Sequence, residues 1–274
     1  MTAIHIIALL VTGSVAGFAS SLLGIGGGII MTPIQFMIFT DLGVPESTAI
    51  KLAFGTNLLV ILPTAISGVW RHQRKKAVFW RAALIMGSVS FLASFGGSFI
   101  TAFLPGRPLK IGFGFLILAS ALRMLMVKSP RITDEPRDNP WLLMAWALPI
   151  GLATGLVGIG GGIVGVPIMT LALRFKIHNA VATSLGMMIL GSVGGIIGYI
   201  INGRNVSGLP SYSLGYVNLQ SAFLLAVTSV AMAQLGAITA HRLPAKQLGY
   251  VFVVLLLYMG LKMLGVFTWL GWPI

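Results

Sequence analysis

Long apolar runs separated by short polar connectors dominate the pattern of this chain. Four of these runs approach the roughly 20 apolar residues that a membrane-spanning helix needs, namely Ala82–Phe103, Leu109–Val127, Ser221–Ala240 and Leu248–Leu261. The pattern therefore predicts an all-α polytopic membrane protein.

Composition and charge agree with this environment. Hydrophobic residues make up 57% of the chain and charged residues only 8%, whereas soluble domains carry roughly 25% charged residues. The net charge of +13 does not indicate nucleic-acid binding, because the cations lie in short connectors and not on a polar, soluble face. The sequence contains no cysteine, which excludes disulfides, thiolate catalysis and cysteine-bound metal clusters.

The chain also contains an internal repeat. The segments Gly17–Pro33 (GFASSLLGIGGGIIMTP) and Gly151–Pro167 (GLATGLVGIGGGIVGVP) are identical at ten of seventeen positions. Further on, Ala53–Leu58 (AFGTNL) corresponds to Ala180–Leu185 (AVATSL), and two later landmarks follow in the same order. We therefore divide the chain into a first transmembrane repeat at 1–127, a hydrophilic cytoplasmic linker at 128–140 and a second transmembrane repeat at 141–274.

Each repeat begins with an apolar segment that is broken by glycines, and three long apolar helices follow it. The broken segments run from about Ile4 to Phe39 and from Trp141 to Phe175. Each would be roughly 50 Å long as one straight helix, well beyond a hydrocarbon core of about 30 Å. Each segment therefore either crosses the bilayer and bends along its surface, or forms a re-entrant hairpin that turns at the glycines.

The distribution of lysine and arginine favours two hairpins, and hence inverted repeats. With hairpins, thirteen cations lie on the cytoplasmic side and five outside, whereas crossing segments would give eleven and seven. The five outside cations are Lys51, Arg107, Lys110, Arg204 and Lys262. We predict a multi-pass protein of the cell inner membrane with a periplasmic N-terminus.

The glycine runs Gly24–Gly28 and Gly158–Gly162 are the leading candidates for a functional site. They do not fit a dinucleotide-binding fingerprint, which would require glycine at Ile29 and Ile163 within a βαβ pattern. Close helix packing through small residues is one alternative. The interpretation that we favour is a break of each helix in the membrane, because paired glycine interruptions in two halves point to a transport site.

A helix that starts again after such a break has free backbone N–H groups and the positive end of its dipole, which together suit a small anion. Polar residues of nearby apolar segments, several of them at equivalent places in both halves, complete the predicted site. The predicted substrate-binding residues are Ser20, Ser21, Gly24, Gly26, Gly27, Gly28, Thr56, Asn57, Thr154, Gly158, Gly160, Gly161, Gly162, Thr183 and Ser184. Gln35 and Gln234 rank below these, since Met169 and Phe95 occupy their corresponding positions.

Several kinds of chemistry have no residues to support them. All five acidic residues lie in connectors, so the sequence offers no intramembrane carboxylate for proton or sodium coupling, and the four histidines lie near segment ends. An HExxH motif, a paired-aspartate protease site and a nucleotide-binding loop are all missing from the sequence. We therefore expect a protein that is not an enzyme, with no catalytic residue, no cofactor and no bound metal. The expected partners are a small anionic substrate and the lipid bilayer, with a homodimer as one option and no nucleic acid.

The repeated motifs resemble those of a known family. The GxGGGxxxxP segments Gly24–Pro33 and Gly158–Pro167, each followed by an A-x-x-T-[SN]-L helix, are similar to the TauE/SafE family of membrane proteins. The resemblance covers essentially the whole chain. It implies a bacterial-type permease that exports sulfite, sulfoacetate or a related organosulfonate, in agreement with the anion site inferred from the backbone.

Three functions are open on this basis. The first is a secondary carrier that exports a small sulfur oxyanion, the second is a passive small-anion channel or a permease for another anion, and the third is a membrane scaffold without transport. Because the spanning helices contain no carboxylate, the simplest driver of export is the charge of the substrate in the membrane potential.

Overall fold

The computed structural model describes residues 1–24, 26–126, 136–240 and 245–266. In this part of the chain every regular element is an α-helix, apart from one isolated bridge between Ser213 and Asn218. The ten helices of the described residues are α1 (Ala3–Leu23), α2 (Gly28–Asp41), α3 (Glu46–Gln73), α4 (Trp80–Phe103), α5 (Gly106–Met126), α6 (Pro140–Val157), α7 (Gly162–Leu171), α8 (Ile177–Gly203), α9 (Leu219–Ala240) and α10 (Ala245–Leu264). The prediction of an all-α protein is confirmed, while residues 128–135 of the predicted linker lie outside the described residues.

Helix length and composition agree with a membrane environment. Six of the described helices are long and apolar enough to cross a bilayer, namely α1, α3, α4, α6, α8 and α9. Helices α2 and α7 are apolar but have only 14 and 10 residues. At ~1.5 Å per residue they are too short to cross a hydrocarbon core of about 30 Å. The chain is therefore a multi-pass membrane protein, and α2 and α7 are too short to cross the membrane by themselves.

Both predicted helix breaks occur at the glycines. Gly24 follows α1 and Gly158 follows α6, and both have the left-handed backbone conformation that ends a helix. The Gly24 N–H donates to the Ser20 carbonyl oxygen at 2.8 Å, and the Gly158 N–H donates to the Thr154 carbonyl oxygen at 2.9 Å. The chain becomes helical again four residues later in both halves.

Each broken segment forms a hairpin. Near the start of α1, His5 Nε2 lies 2.9 Å from Asp41 Oδ2 at the end of α2. In the second half, the Arg137 N–H ahead of α6 donates to the Leu173 carbonyl oxygen after α7, also at 2.9 Å. Since the two ends of each segment are adjacent, the chain enters and leaves on the same side of the bundle. This hairpin shape agrees with the re-entrant alternative of the sequence analysis.

Helices α3 and α8, which follow the hairpins at equivalent places in the sequence, are the most buried spans and run in opposite directions. Near the start of α3, Gly55 packs against Tyr199 near the end of α8. At the opposite end, the N–H of Phe79, which follows α3, donates to Thr183 near the start of α8 at 3.1 Å. This antiparallel packing supports the predicted inversion of the two repeats.

The first helix of each half packs on a helix of the other half. Helix α1 packs against α9, and α6 packs against α4. Gly17 of α1 lies against the backbone of Ser229, and Gly151 of α6 lies against the backbone of Ser90. These contacts are at corresponding positions of the repeat, where the missing side chain lets the two backbones approach closely.

Candidate functional site

The two glycine breaks lie against each other beside α3 and α8. A methyl group on Gly26 would stand 2.5 Å from the Ile159 carbonyl oxygen, and one on Gly162 would overlap the Gly24 carbonyl oxygen. Only residues without a side chain can bring the two backbones this close. The contact unites the predicted glycines of both halves, all of them buried: Gly24, Gly26, Gly27, Gly28, Gly158, Gly160, Gly161 and Gly162.

The two breaks share one backbone conformation. In each of them the first, third and fourth residues have positive φ angles, which cost a residue with a side chain about 1–2 kcal/mol. These angles are 69°, 87° and 67° at Gly24, Gly26 and Gly27, and 62°, 72° and 78° at Gly158, Gly160 and Gly161. Backbone geometry therefore accounts for the repetition of the glycine pattern.

Helix starts with unpaired donors meet at this contact. Helices α2 and α7 begin at the breaks, so each places the positive end of its dipole there. Within the described residues, the backbone N–H groups of Gly27, Gly160 and Gly161 have no hydrogen-bond acceptor. Buried N–H groups need a partner, and an oxyanion is a partner that also suits the dipoles.

A polar network in the first half connects its break to α3. Asn57 Nδ2 donates to the Gly28 carbonyl oxygen at 3.3 Å and to Thr32 Oγ1. Gln35 Nε2 donates to Asn57 Oδ1 at 2.7 Å, and the three polar side chains are fully buried. From the sequence, Gln35 ranked below the other candidates and was not placed in this network. Its spacing from Gly28 and Thr32, which puts all three on one face of α2, is the signal that could have identified it.

The second half lacks this network at the corresponding positions. Val166 and Met169 stand where the first half has its threonine and glutamine. Ser184, the counterpart of the asparagine, donates to the Val181 carbonyl oxygen of its own helix at 2.8 Å and lies 3.4 Å from the Gly24 carbonyl oxygen. The polar chemistry of the site is therefore concentrated in the first half.

Of the three predicted threonines, Thr56 and Thr183 contact helix starts and not the glycines. Thr56 Oγ1 accepts a hydrogen bond from the N–H of Asn218, just before α9, at 2.9 Å. Thr183 Oγ1 accepts one from the N–H of Phe79, just before α4, at 3.1 Å. Each hydroxyl thus supplies an acceptor at the start of a helix in the other half. Their role in substrate binding stays a prediction.

The other predicted hydroxyl residues lie at the ends of α1 and α6. Thr154 Oγ1 donates to a carbonyl oxygen of its own helix at 2.8 Å, and Ser20 offers its carbonyl oxygen to the first glycine of the break. The Ser21 carbonyl oxygen lies 3.1 Å from Nε2 of His72, and the buried Ser21 Oγ has no hydrogen-bond partner. His72 lies at the end of α3, as predicted, but its side chain is fully buried.

Comparison with known protein families identifies the family of the chain. The family described as "Sulfite exporter TauE/SafE" matches residues 9–263. The chain belongs to the TauE/SafE family. The resemblance that the glycine motifs indicated is thereby confirmed.

Relatives of this TauE/SafE protein share nearly its whole length. A probable membrane transporter protein of Methanocaldococcus jannaschii is 34% identical over 261 residues, which cover 93% of this chain and 94% of the relative. A probable membrane transporter protein of Haemophilus influenzae is 31% identical and covers 94% of this chain and 97% of its own length. One from Bacillus subtilis is 28% identical, with coverages of 95% and 98%. No solved structure matches.

The chain is thus a multi-pass membrane transporter of the TauE/SafE family, and this family is one of transporters, not of enzymes.

Two apolar side chains close the contact between the two glycine breaks. The Met188 sulfur lies 3.5 Å from the place of a methyl group on either Gly26 or Gly160, and Ile61 lies 3.0 Å from that on Gly160. Ile61 and Met188 are equivalent residues of α3 and α8, and both are buried. Equivalent apolar side chains of the two halves therefore cover the glycine contact.

The acidic residues of this TauE/SafE protein lie at helix ends wherever the structure describes them. Asp41 is the last residue of α2, Glu46 is the first residue of α3, and Asp138 precedes α6. Asp134 and Glu135 lie outside the described residues. None of the three described carboxylates therefore lies in the interior of a spanning helix.

Lys51 is one of the cations that the sequence analysis placed in connectors and that the structure places inside a helix. It was expected in an external connector, but α3 begins at Glu46, so Lys51 lies inside that helix. Only 8% of the residue is exposed, and Nζ donates to the Ala102 carbonyl oxygen near the end of α4 at 2.7 Å. The long side chain reaches from a buried Cα to a polar helix end, as lysines do near interfaces.

A cavity of about 460 Å³ lies apart from the glycine breaks. Its walls include Glu46, Arg107 and Lys110 and the end of α10, and Lys110 Nζ lies 3.5 Å from Glu46 Oε2. The described residues contain no group of three or more side chains that could hold a metal ion. The chemistry of the glycine contact thus rests on backbone donors and on the amide network.

Proposed function

We propose that this TauE/SafE protein is a secondary transporter that exports a small sulfur oxyanion, such as sulfite, sulfoacetate or a related organosulfonate. The observation that carries the proposal is the contact between two glycine breaks, where two helix starts with unpaired N–H groups meet in a buried place. Backbone dipoles of this kind bind an oxyanion without the full charge of a buried lysine, so the anion can also leave.

The proposed site is centred on the predicted glycines of both breaks and Asn57, together with Gln35 and Thr32. Asn57 links both additions to Gly28, the first residue of α2. The same polar cluster is what a channel or another anion permease would use, so geometry alone favours transport of an anion over a purely structural role.

We further propose that the two repeats, 1–127 and 141–274, are inverted in the inner membrane around a cytoplasmic linker. The N-terminus and the 202–216 connector would then be periplasmic and the 72–80 connector cytoplasmic. The two hairpins and the antiparallel α3 and α8 support this arrangement.

Cysteine labelling tests this topology. Single cysteines can be placed at Thr2, Lys75 and Ser207, since the chain has none. An impermeant thiol reagent applied from outside should label positions 2 and 207 only. Protection of position 207 would contradict the inversion.

The driving force follows from the position of the carboxylates. With the described carboxylates at helix ends, the usual intramembrane carrier of a proton or sodium ion is missing from the described spans. One charge that crosses a potential of 100 mV changes its free energy by about 2.3 kcal/mol, which sustains a gradient of more than tenfold. We expect electrogenic, sodium-independent efflux that an inside-negative potential accelerates.

Reconstitution tests the function directly. Proteoliposomes loaded with labelled sulfite should release it in a saturable way under a potassium–valinomycin potential, and external unlabelled sulfite should exchange with it. A flux that does not saturate would indicate a channel, and no flux for any of several anions would indicate a scaffold. A flux that follows an imposed sodium or proton gradient and ignores the potential would contradict the proposed driving force.

Two glycines provide a matched pair of variants for the location of the site. Gly27 in the first break has φ +67°, and Gly43 in the connector after α2 has φ +84° with open space around it. Alanine costs about 1–2 kcal/mol of backbone strain at either position. Gly27→Ala should lower sulfite flux at least tenfold while Gly43→Ala leaves it unchanged. Equal losses would show that strain, and not the site, sets the rate.

A further inference from the structure

One buried oxygen of the amide network has no partner, and the network itself determines which atom this is. The Gly28 carbonyl oxygen can only accept, so the side of Asn57 that faces it must be Nδ2. Asn57 Oδ1 then faces Gln35, whose Nε2 donates to it. Gln35 Oε1 is left buried and without a donor.

The fold does not require this oxygen. The second hairpin forms the same break with Val166 and Met169 in place of the threonine and glutamine. A buried acceptor without a donor destabilises the folded protein. Its presence in one half only therefore points to a ligand that brings a hydrogen-bond donor.

The charge of the surroundings selects the class of donor. Asn57 connects Gln35 to the first residue of α2, where the helix dipole is positive and disfavours a free cation. The neighbouring unpaired N–H groups call for negatively charged oxygens. An oxyanion that still carries one proton meets both demands, because its O–H donates while its other oxygens accept.

We propose that Gln35 selects the monoprotonated form of the oxyanion, so that sulfite is exported as hydrogensulfite and not as the dianion. This inference rests on the proposed function and adds the protonation state of the substrate to it. Gln35 Oε1 accepts the O–H hydrogen of hydrogensulfite and repels the charged oxygen that the sulfite dianion would place there. The methyl group of a sulfonate presents no charged oxygen at this position, so a sulfonate is not repelled.

Protein groups must be separated from the substrate as a source of pH dependence. Two helices packed against α2 carry a histidine, namely His5 of α1 and His72 of α3. The charged residues of α2 and of the helices packed against it include Asp41, Glu46, Lys51, Arg71 and Lys262, and Lys110 Nζ of α5 lies 4.9 Å from the centre of the Phe36 ring of α2. A second probe, methanesulfonate, separates the two sources, since it stays a monoanion without an O–H throughout the neutral range.

The experiment measures initial efflux of each probe from proteoliposomes at a fixed potential and fixed total concentration, over a series of equal internal and external pH values. Leak from protein-free liposomes is subtracted. Above the second pKa of sulfite, its flux should fall about tenfold per pH unit, following the monoprotonated fraction, while methanesulfonate flux stays constant. Gln35→Met should reduce sulfite flux and flatten its pH profile without reducing methanesulfonate flux.

Met169→Gln is the matched control, because it makes the reverse exchange at the equivalent position and should leave the sulfite profile unchanged. A wild-type sulfite flux that is independent of pH overturns the inference while the proposed function stands. An unchanged pH profile in Gln35→Met also overturns the inference, because it indicates that Oε1 binds only water. Two further results would overturn it as well: stimulation of sulfite flux by sodium, and a methanesulfonate flux with the same pH dependence as the sulfite flux. Absence of sulfite flux at every pH is the failure of the proposed function itself. The wild-type comparison of the two probes decides the matter even where a variant does not fold.

Discussion

The first hairpin, α1–α2, and the second, α6–α7, have nearly the same backbone and differ in the side chains behind it. Both turn through glycines with positive φ at the same three places. Behind the first turn, Asn57 bonds to Thr32 and Gln35, whereas Val166 and Met169 line the second. The glycine backbone that both hairpins share is thus what the fold requires. The amides found only in the first hairpin are not required by the fold, so they are available to bind a ligand.

The largest effect is expected where the two hairpins touch. A methyl group on Gly162 would overlap both the Gly24 carbonyl oxygen and the Met188 side chain, without any strain in φ. Gly162→Ala should abolish sulfite flux and destabilise the protein by about 1–3 kcal/mol or more. Gly165→Ala is the control in the same helix, since its nearest neighbour is the flexible end of Met187 at 3.1 Å. Wild-type flux in Gly162→Ala would show that the breaks need not touch.

An intermediate effect should separate the polar hairpin from the apolar one. Asn57→Leu leaves the buried amide of Gln35 without its acceptor, at a cost of about 1–3 kcal/mol, and should abolish sulfite binding. Ser184→Ala removes a hydroxyl that bonds mainly within its own helix and should cost less than about 1 kcal/mol. Thermal unfolding of the purified protein and flux in proteoliposomes measure the two quantities.

The double variant Asn57→Leu/Gln35→Met sharpens this test. Removal of both partners leaves no unpaired amide, so stability should return to nearly the wild-type value while transport stays lost. Recovery of transport together with stability would mean that the network only supports the fold. Equal losses in Asn57→Leu and Ser184→Ala would remove the distinction between the hairpins.

The smallest effect on substrate binding is expected at Thr56 and Thr183, where the halves are alike. Thr56→Val and Thr183→Val each remove the acceptor of one N–H at a helix start and should lower stability by about 1 kcal/mol. Sulfite affinity, measured by titration of the purified variants, should be unchanged. A weaker affinity in both would show that these hydroxyls reach the substrate, as the sequence predicted.

Much of the architecture was readable from the sequence because it depends on local chemistry. Glycine runs such as Gly24–Gly28 end a helix wherever they stand, and the distribution of cations was sufficient to favour hairpins over crossing segments. The amide network was not readable, because Gln35 and Asn57 are 22 residues apart and only the packing of α2 on α3 brings them together. The threonine contacts were missed for the same reason, since their partners belong to the other half.

The packing of helices of one half against helices of the other also affects how the protein assembles during translation. Thr183 is 104 residues beyond the N–H of Phe79 that it accepts from, and Thr56 is 162 residues ahead of Asn218. The glycine face of α1 likewise receives its partner only when α9 has been synthesised. During translation the first five helices therefore enter the bilayer before the N–H of Phe79 has its acceptor and before the glycine face of α1 has its partner helix. Assembly cannot finish until the ribosome has translated α9.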